Sequence, residues 1–195
     1  EFTWSSWLKL DGLPDASNNV YHIYNKGSEP DPNAVDDSGS SERDDQNNGK
    51  YALKNCPGLY VTDVSGYTTR LQLNIKIDTL GSDEGVIQIV DLPIKRWFHL
   101  AIRLQNKIID VYVNGTITTR VPFTEIPEQN YGDIFIGYQG YNGAISNLRY
   151  FDKALSVFQI SNIVMSGPDL SNPDENEDIG SADYLSGSWY TNPSY

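Results

Sequence analysis

Between Arg70 and Ile77 the side chains alternate without interruption: Leu71, Leu73, Ile75 and Ile77 fall on one side, Arg70, Gln72, Asn74 and Lys76 on the other. Only an extended strand has a side-chain period of two, so this run reads as an antiparallel strand with one face buried. The same period recurs along the chain. Phe98, Leu100, Ile102 and Leu104 alternate with Trp97, His99, Ala101 and Arg103, and Phe2–Leu10 mixes aromatic and aliphatic residues with small polar ones. Shorter strands are predicted at Val20–Tyr24, Gly58–Thr62, Val86–Val90, Asp133–Gly137 and Gly143–Tyr150. Ile109–Val113 and Thr116–Arg120 flank Asn114-Gly115, the strongest local hairpin signal, because both residues accept the positive φ of a type I′ turn. One helix is expected. Ser156 and Gln159 form a capping box ahead of Ile160, Ile163 and Val164 on one side. About ten strands and one short helix near the C-terminus predict an all-β fold of two antiparallel sheets packed as a sandwich.

Charge separates this body from its appendages. Of 26 acids and 14 bases, the segments Glu29–Asp45 and Asp169–Tyr195 hold thirteen acids and one base, Arg43, so the remainder is balanced. Residues 27–50 are predicted to be an acidic loop insertion in a sandwich covering 1–168, and 169–195 an acidic tail bearing Tyr184, Trp189, Tyr190 and Tyr195. A net charge of −12 without a basic stripe would repel phosphate backbones, which excludes nucleic acid as a partner. No apolar run reaches membrane-spanning length. Cys56 is the single cysteine, so no internal disulfide can form. The chain opens at Glu1 without a leader pattern, and its first residues therefore name no compartment.

Three segments go beyond strand patterning. Phe2-Thr3-Trp4-Ser5-Ser6-Trp7-Leu8-Lys9 resembles the opening strand of laminin G-like and pentraxin-like domains. Lys95 to Ile102, with Asp110-Val111-Tyr112-Val113-Asn114-Gly115, resembles their central hairpin, and Ile136 to Ser156 their closing segment. The resemblance spans roughly residues 2 to 165 and implies a concanavalin A-like jelly-roll. A narrower likeness, in Pro57 to Val61, Gln129 to Asp133, Ile145 to Phe151 and Ser166 to Leu170, is to lectin-like domains encoded by large DNA viruses of algae and protists. It implies an extracellular or virion surface. Members of the wider family commonly bind glycans or proteins, often with one calcium at a rim. The family usually has a strand ahead of the opening motif, and almost nothing precedes it here.

Catalysis is not expected. Glycosidases of this fold carry paired carboxylates spaced Glu-x-Asp-x-x-Glu on one strand, and no such spacing occurs. His22 and His99 read as strand residues with no Ser or Cys patterned beside them, and Cys56 as a strand-start residue. Calcium is the one candidate cofactor. Asp63 resembles the rim aspartate of laminin G-like sites. Asp44, Gln46, Asn48 and Gly49 partly match a calcium loop whose twelfth position is Asn55 in place of Glu, a pattern a solvated charged loop also explains. Sugar binding favours aromatic platforms beside amides, which the loop Gly137–Gly143 supplies in Tyr138, Gln139, Tyr141 and Asn142. Tyr141 has a second reading, packing against the sandwich. Asn114-Gly115-Thr116 is a glycosylation sequon, although the hairpin turn accounts for Asn-Gly by itself. Two functions fit: a lectin-like or adhesion module recognising a glycan or protein surface, or a capsid or fibre component docking through an edge strand and the tail.

Overall fold

The computed structural model describes residues 1–12, 20–30, 54–63, 70–80 and 85–171. The partial calcium loop and the aromatic residues of the tail lie outside them, as does the side chain of Asp63.

Ten strands and one helix follow in order: β1 (Phe2–Leu10), β2 (Val20–Gly27), β3 (Asn55–Asp63), β4 (Leu71–Lys76), β5 (Val86–Val90), β6 (Trp97–Gln105), β7 (Ile108–Val113), β8 (Thr116–Pro122), β9 (Asp133–Ile136), β10 (Gly143–Phe151) and α1 (Val157–Ser166). They form two five-stranded antiparallel sheets. Sheet A runs β10-β1-β6-β7-β8 and sheet B runs β5-β4-β3-β2-β9. This is the sandwich that the alternation predicts, with the alternating aliphatic residues of β4, β5, β6 and β7 facing inward. Leu71, Leu73 and Ile75 of β4 and Ile87 and Ile89 of β5 meet Phe98, Leu100 and Ile102 of β6 and Ile109 and Val111 of β7 in one cluster. Each fully buried side chain of this kind contributes about 1.5–3 kcal/mol.

Two departures from the patterns concern β2. The strand continues three residues past Tyr24, because Asn25 pairs with both Gly58 and Phe135, and Gly27 with both Asn55 and Asp133. The 27–50 insertion therefore begins only as that pairing ends. A bulge between His22 and Tyr24 breaks the alternation and lets Ile23 and Tyr24 both reach the core. There Tyr24 stacks on Trp4, with ring centroids 5.7 Å apart and 26° between planes.

The outer face of sheet A is covered as well. Ile160 of α1 and Leu155 pack on Ala101 and Tyr112, where Ala101 leaves room for the helix. The capping box forms as expected: Gln159 N donates to Ser156 Oγ, and Ser156 N donates to Gln159 Oε1. The chain entering α1 is tied to the sheet. Thr3 Oγ1 donates to Lys153 O and accepts from Leu155 N, and Arg103 Nη1 donates to Leu155 O.

Candidate functional site

On the outer face of sheet B the strands bring together residues far apart in sequence. His22 of β2 lies opposite Tyr60 of β3, Tyr60 opposite Asn74 of β4, and Asn74 opposite Gln88 of β5. A parallel row beside it holds Thr62, Gln72 and Val90. The side chains interlock: Gln72 Nε2 donates to Asn74 Oδ1 at 2.8 Å, and Asn74 Nδ2 donates to Thr62 Oγ1 at 3.0 Å. The Tyr60 hydroxyl donates to Asn55 Oδ1 at 2.6 Å, with its ring lying over Gly58. Asn74, expected on a solvated face, is buried with its amide satisfied by these bonds, and His22, Tyr60 and Thr62 are buried as well, whereas Gln88 is exposed at the β5 end.

The loop after β9 closes over the β2 end of this row. Tyr138 N donates to His22 Nδ1 at 3.0 Å, and the Tyr138 ring stands edge-on to the imidazole, 6.4 Å away. His22 Nε2 is 2.8 Å from Asn25 Oδ1. With Nδ1 accepting from a backbone N–H, Nε2 must carry the ring's proton, so His22 is neutral; burial lowers its pKa accordingly. Gly137, Gln139 and Gly140 all have positive φ, and this sharp turn holds Tyr138 half-buried and Gln139 exposed.

The four loop candidates thus separate. Tyr138 and Gln139 border the amide row. Tyr141 packs against the core beside Tyr21, its hydroxyl buried and without a partner among the described residues, and burial pushes its pKa above the ordinary range. Asn142 is exposed, and its backbone carbonyl accepts from Asp11 N at 2.8 Å, next to Gly12.

Other candidates lie elsewhere. Asn114 and Gly115 adopt the positive φ angles of the tight hairpin turn, and Asn114 Oδ1 accepts from His99 N at 2.9 Å. His99 lies on the outer face of sheet A, its Nε2 2.8 Å from Ser5 Oγ. Cys56 is buried in β3, which raises its thiol to about 12. Asp63 ends β3 opposite Leu71. Among the described residues no three His, Cys, Asp or Glu side chains converge to hold a metal, and no helix is long and apolar enough to cross a membrane.

Sequence reasoning singled out the loop but not the row beneath it. The signal was present. In β4 and β5 the residues opposite the aliphatic face include Gln72, Asn74 and Gln88, amides where a merely solvated face would carry charge.

The match to a laminin G-like family model, described as the concanavalin A-like lectin/glucanases superfamily, covers residues 1–161. Among solved structures, the chain is similar to the binding domain of botulinum neurotoxin serotype D (TM-score 0.51, 13% identity, 85% of this chain and 35% of that one). It is similar also to the serotype G binding domain (0.51, 13%, 85% and 36%). A third is a candidate carbohydrate-binding protein from Bacteroides ovatus (0.50, 16%, 82% and 39%). The chain spans little more than a third of the length of each, and at these identities the likeness establishes the fold alone. No curated protein sequence matches the chain. Two five-stranded antiparallel sheets, a capped helix on one of them and a family match over most of the sequence lead to one assignment: the chain belongs to the concanavalin A-like lectin/glucanases superfamily, as a laminin G-like domain.

Proposed function

We propose that the protein is a non-catalytic recognition module, binding a glycan or a protein surface where the Tyr138–Asn142 loop meets the outer face of sheet B, in an extracellular or virion setting. The observation that carries this reading is the sharp turn after β9, which presents Tyr138, Gln139 and Asn142 beside the buried cross-strand row His22–Tyr60–Asn74, with Gln88 exposed at the far end of the row and no carboxylate in it. Glycosidic cleavage needs an acid and a base or nucleophile flanking the bond, normally two carboxylates. Amides and aromatic rings instead suit retention: amides match hydroxyl groups as donor and acceptor, and rings match the apolar faces of sugars. Tyr138, Gln139 and Asn142 supply the accessible contacts, and Tyr141 anchors the loop between them. The family match and the carbohydrate-binding description of the Bacteroides relative agree with this reading.

Retention on a glycan array tests it. Tyr138→Ala and Gln139→Ala should each abolish retention shown by the parent chain. Exposed Gln139→Ala should leave the melting temperature within a degree or so, and Tyr138→Ala, which removes a half-buried ring beside His22, should lower it only modestly. Undiminished retention in both variants would sink the loop assignment. A calcium-dependent rise in melting temperature that Asp63→Ala removes would add a cation to the rim. No shift would leave recognition to the loop and the row.

A second reading, a capsid or fibre component, is favoured by one feature, the edge of sheet B at β9, beyond which no strand lies among the described residues.

A further inference from the structure

The two long sides of the sandwich are unequal. On one side β5 and β8 approach each other, and the core-facing Ile87 and Ile89 of β5 are 4% and 6% exposed. On the other side lie β9 and β10. There Ile134 and Ile136 of β9 are 48% and 53% exposed, and Tyr150 of β10, whose ring lies 5.1 Å from that of Trp4, is 53% exposed. Ile136 pairs with the core residue Tyr24, so these isoleucines point to the interior face of sheet B yet remain in solvent. Among the described residues no strand lies beyond β9, which leaves its outer backbone groups unpaired by any strand. Of the usual protections of an edge, β9 has its shortness, four residues, and the charge of Asp133, but no lysine, no proline and no bulge.

We propose that β9 is a self-association edge, and that its occupant is the β9 of a second copy of this chain, paired antiparallel about a two-fold axis through Phe135. The strand is self-complementary in this register and in few others. Ile134 of each copy faces Ile136 of the other, so both apolar pairs lie on the interior side. Phe135 meets its own symmetry mate on the outer face, as an aromatic pair. Asp133 falls opposite Gly137, so no acid faces an acid, a condition that matters for a chain of net charge −12. The nearest cation in the register, Lys26, is already held by Asn130 and Gly132, at 2.7 Å and 3.2 Å from their carbonyl oxygens. An isologous contact of this kind closes on itself and ends at the dimer. It joins the two copies of sheet B into one continuous sheet with their outer faces side by side, so two copies of the recognition face would present a bivalent surface. The pairing itself does not depend on what that face binds.

Sedimentation of the full 195-residue chain from micromolar to millimolar concentration reads the association directly. The expected result is a weight-average mass that rises toward twice the monomer and no further. The double variant Ile134→Lys, Ile136→Lys should stay monomeric, because it places four ammonium groups across the axis. Phe135→Cys should yield a disulfide-linked dimer on mild oxidation, as directly opposed residues on antiparallel strands come close enough to bridge. The parent chain, with only buried Cys56, should not cross-link. A parent chain that stays monomeric throughout would overturn the proposal. So would a dimer that survives the lysine substitutions and leaves Phe135→Cys uncrosslinked. If the lysine variant fails to fold, the cross-link alone decides. Glycan retention by a monomeric lysine variant would separate this proposal from the recognition reading.

Discussion

Asp110 and Arg103 face each other across β7 and β6 on the outer face of sheet A, Arg103 Nη2 lying 3.0 Å from a carboxylate that is 1% exposed. Arg120 of β8 binds the same carboxylate from the other side, Nε to Oδ1 and Nη2 to Oδ2. Arg103 in turn donates to Leu155 O ahead of α1 and lies over the Tyr112 ring. One buried acid thereby links three strands to the approach of the helix.

Removing that acid should be costly. Asp110→Ala would leave Arg103 as a largely buried charge without its counterion, and breaking such a pair from one side typically loses about 3–5 kcal/mol. Arg120→Ala should lose less, because the Arg120 side chain is 57% exposed and Arg103 remains to pair the carboxylate. Denaturant midpoints of the two variants check the order. Equal losses would refute the asymmetry.

Acid should weaken the fold in two stages. His99 is buried, and desolvation lowers its pKa from 6.5 to about 4. A depressed histidine favours the neutral form in the folded state, so its contribution is complete above pH 6.5 and lost as pH falls toward 4. At about 1.4 kcal/mol per unit, the loss is on the order of 3 kcal/mol. Asp110, held below the ordinary carboxylate range by its hydrogen bonds to Arg120, adds a second loss as pH falls below about 4 through its folded-state value. Urea unfolding from pH 7 to 3 should show both, and His99→Gln should diminish the first, to which buried His22, its pKa also lowered by desolvation, adds its own loss.

Two glycines should respond differently to alanine. A Cβ at Gly58 would sit 2.1 Å from Asn55 Oδ1 and 2.7 Å from Tyr60 Cε2, so Gly58→Ala must displace the ring and break the Tyr60–Asn55 bond. Overpacking of this kind costs roughly 1–3 kcal/mol. Gly137 has φ +63°, and a Cβ added there would meet nothing within 4 Å, so Gly137→Ala meets conformational strain alone, about 1–2 kcal/mol. A thermal melt gives the destabilisation. Glycan retention should fall in Gly58→Ala through the disturbed row.

The cap of α1 offers a separate measure of how firmly the helix is seated. Ser156→Ala removes the acceptor for Gln159 N and should cost about 0.5–2 kcal/mol. Hydrogen exchange should show the first turn of α1 opening more readily, with sheet B unchanged. Uniform loosening of both sheets would contradict that local role.

The strands, the Asn114–Gly115 turn and the capped start of α1 were all legible in the chain before any fold was known. Each rests on interactions between residues a few positions apart: a two-residue side-chain period, two positive φ angles, or a hydroxyl three residues from an amide. Tyr138 and Gln139 were likewise legible as turn residues, because glycines bracket them. That His22, Tyr60, Asn74 and Gln88 share one row was not legible, since alternation tells which face a residue occupies but not which strand lies beside it. The same limit hid the pairing of Asp110 with Arg103 and Arg120, and the bulge that sends both Ile23 and Tyr24 inward. It hid the open edge as well. The sequence predicts a strand at Asp133–Gly137 but not its place, and Ile134 and Ile136 are exposed where β9 comes last in its sheet among the described residues, a position fixed by strand order rather than by any neighbour in sequence.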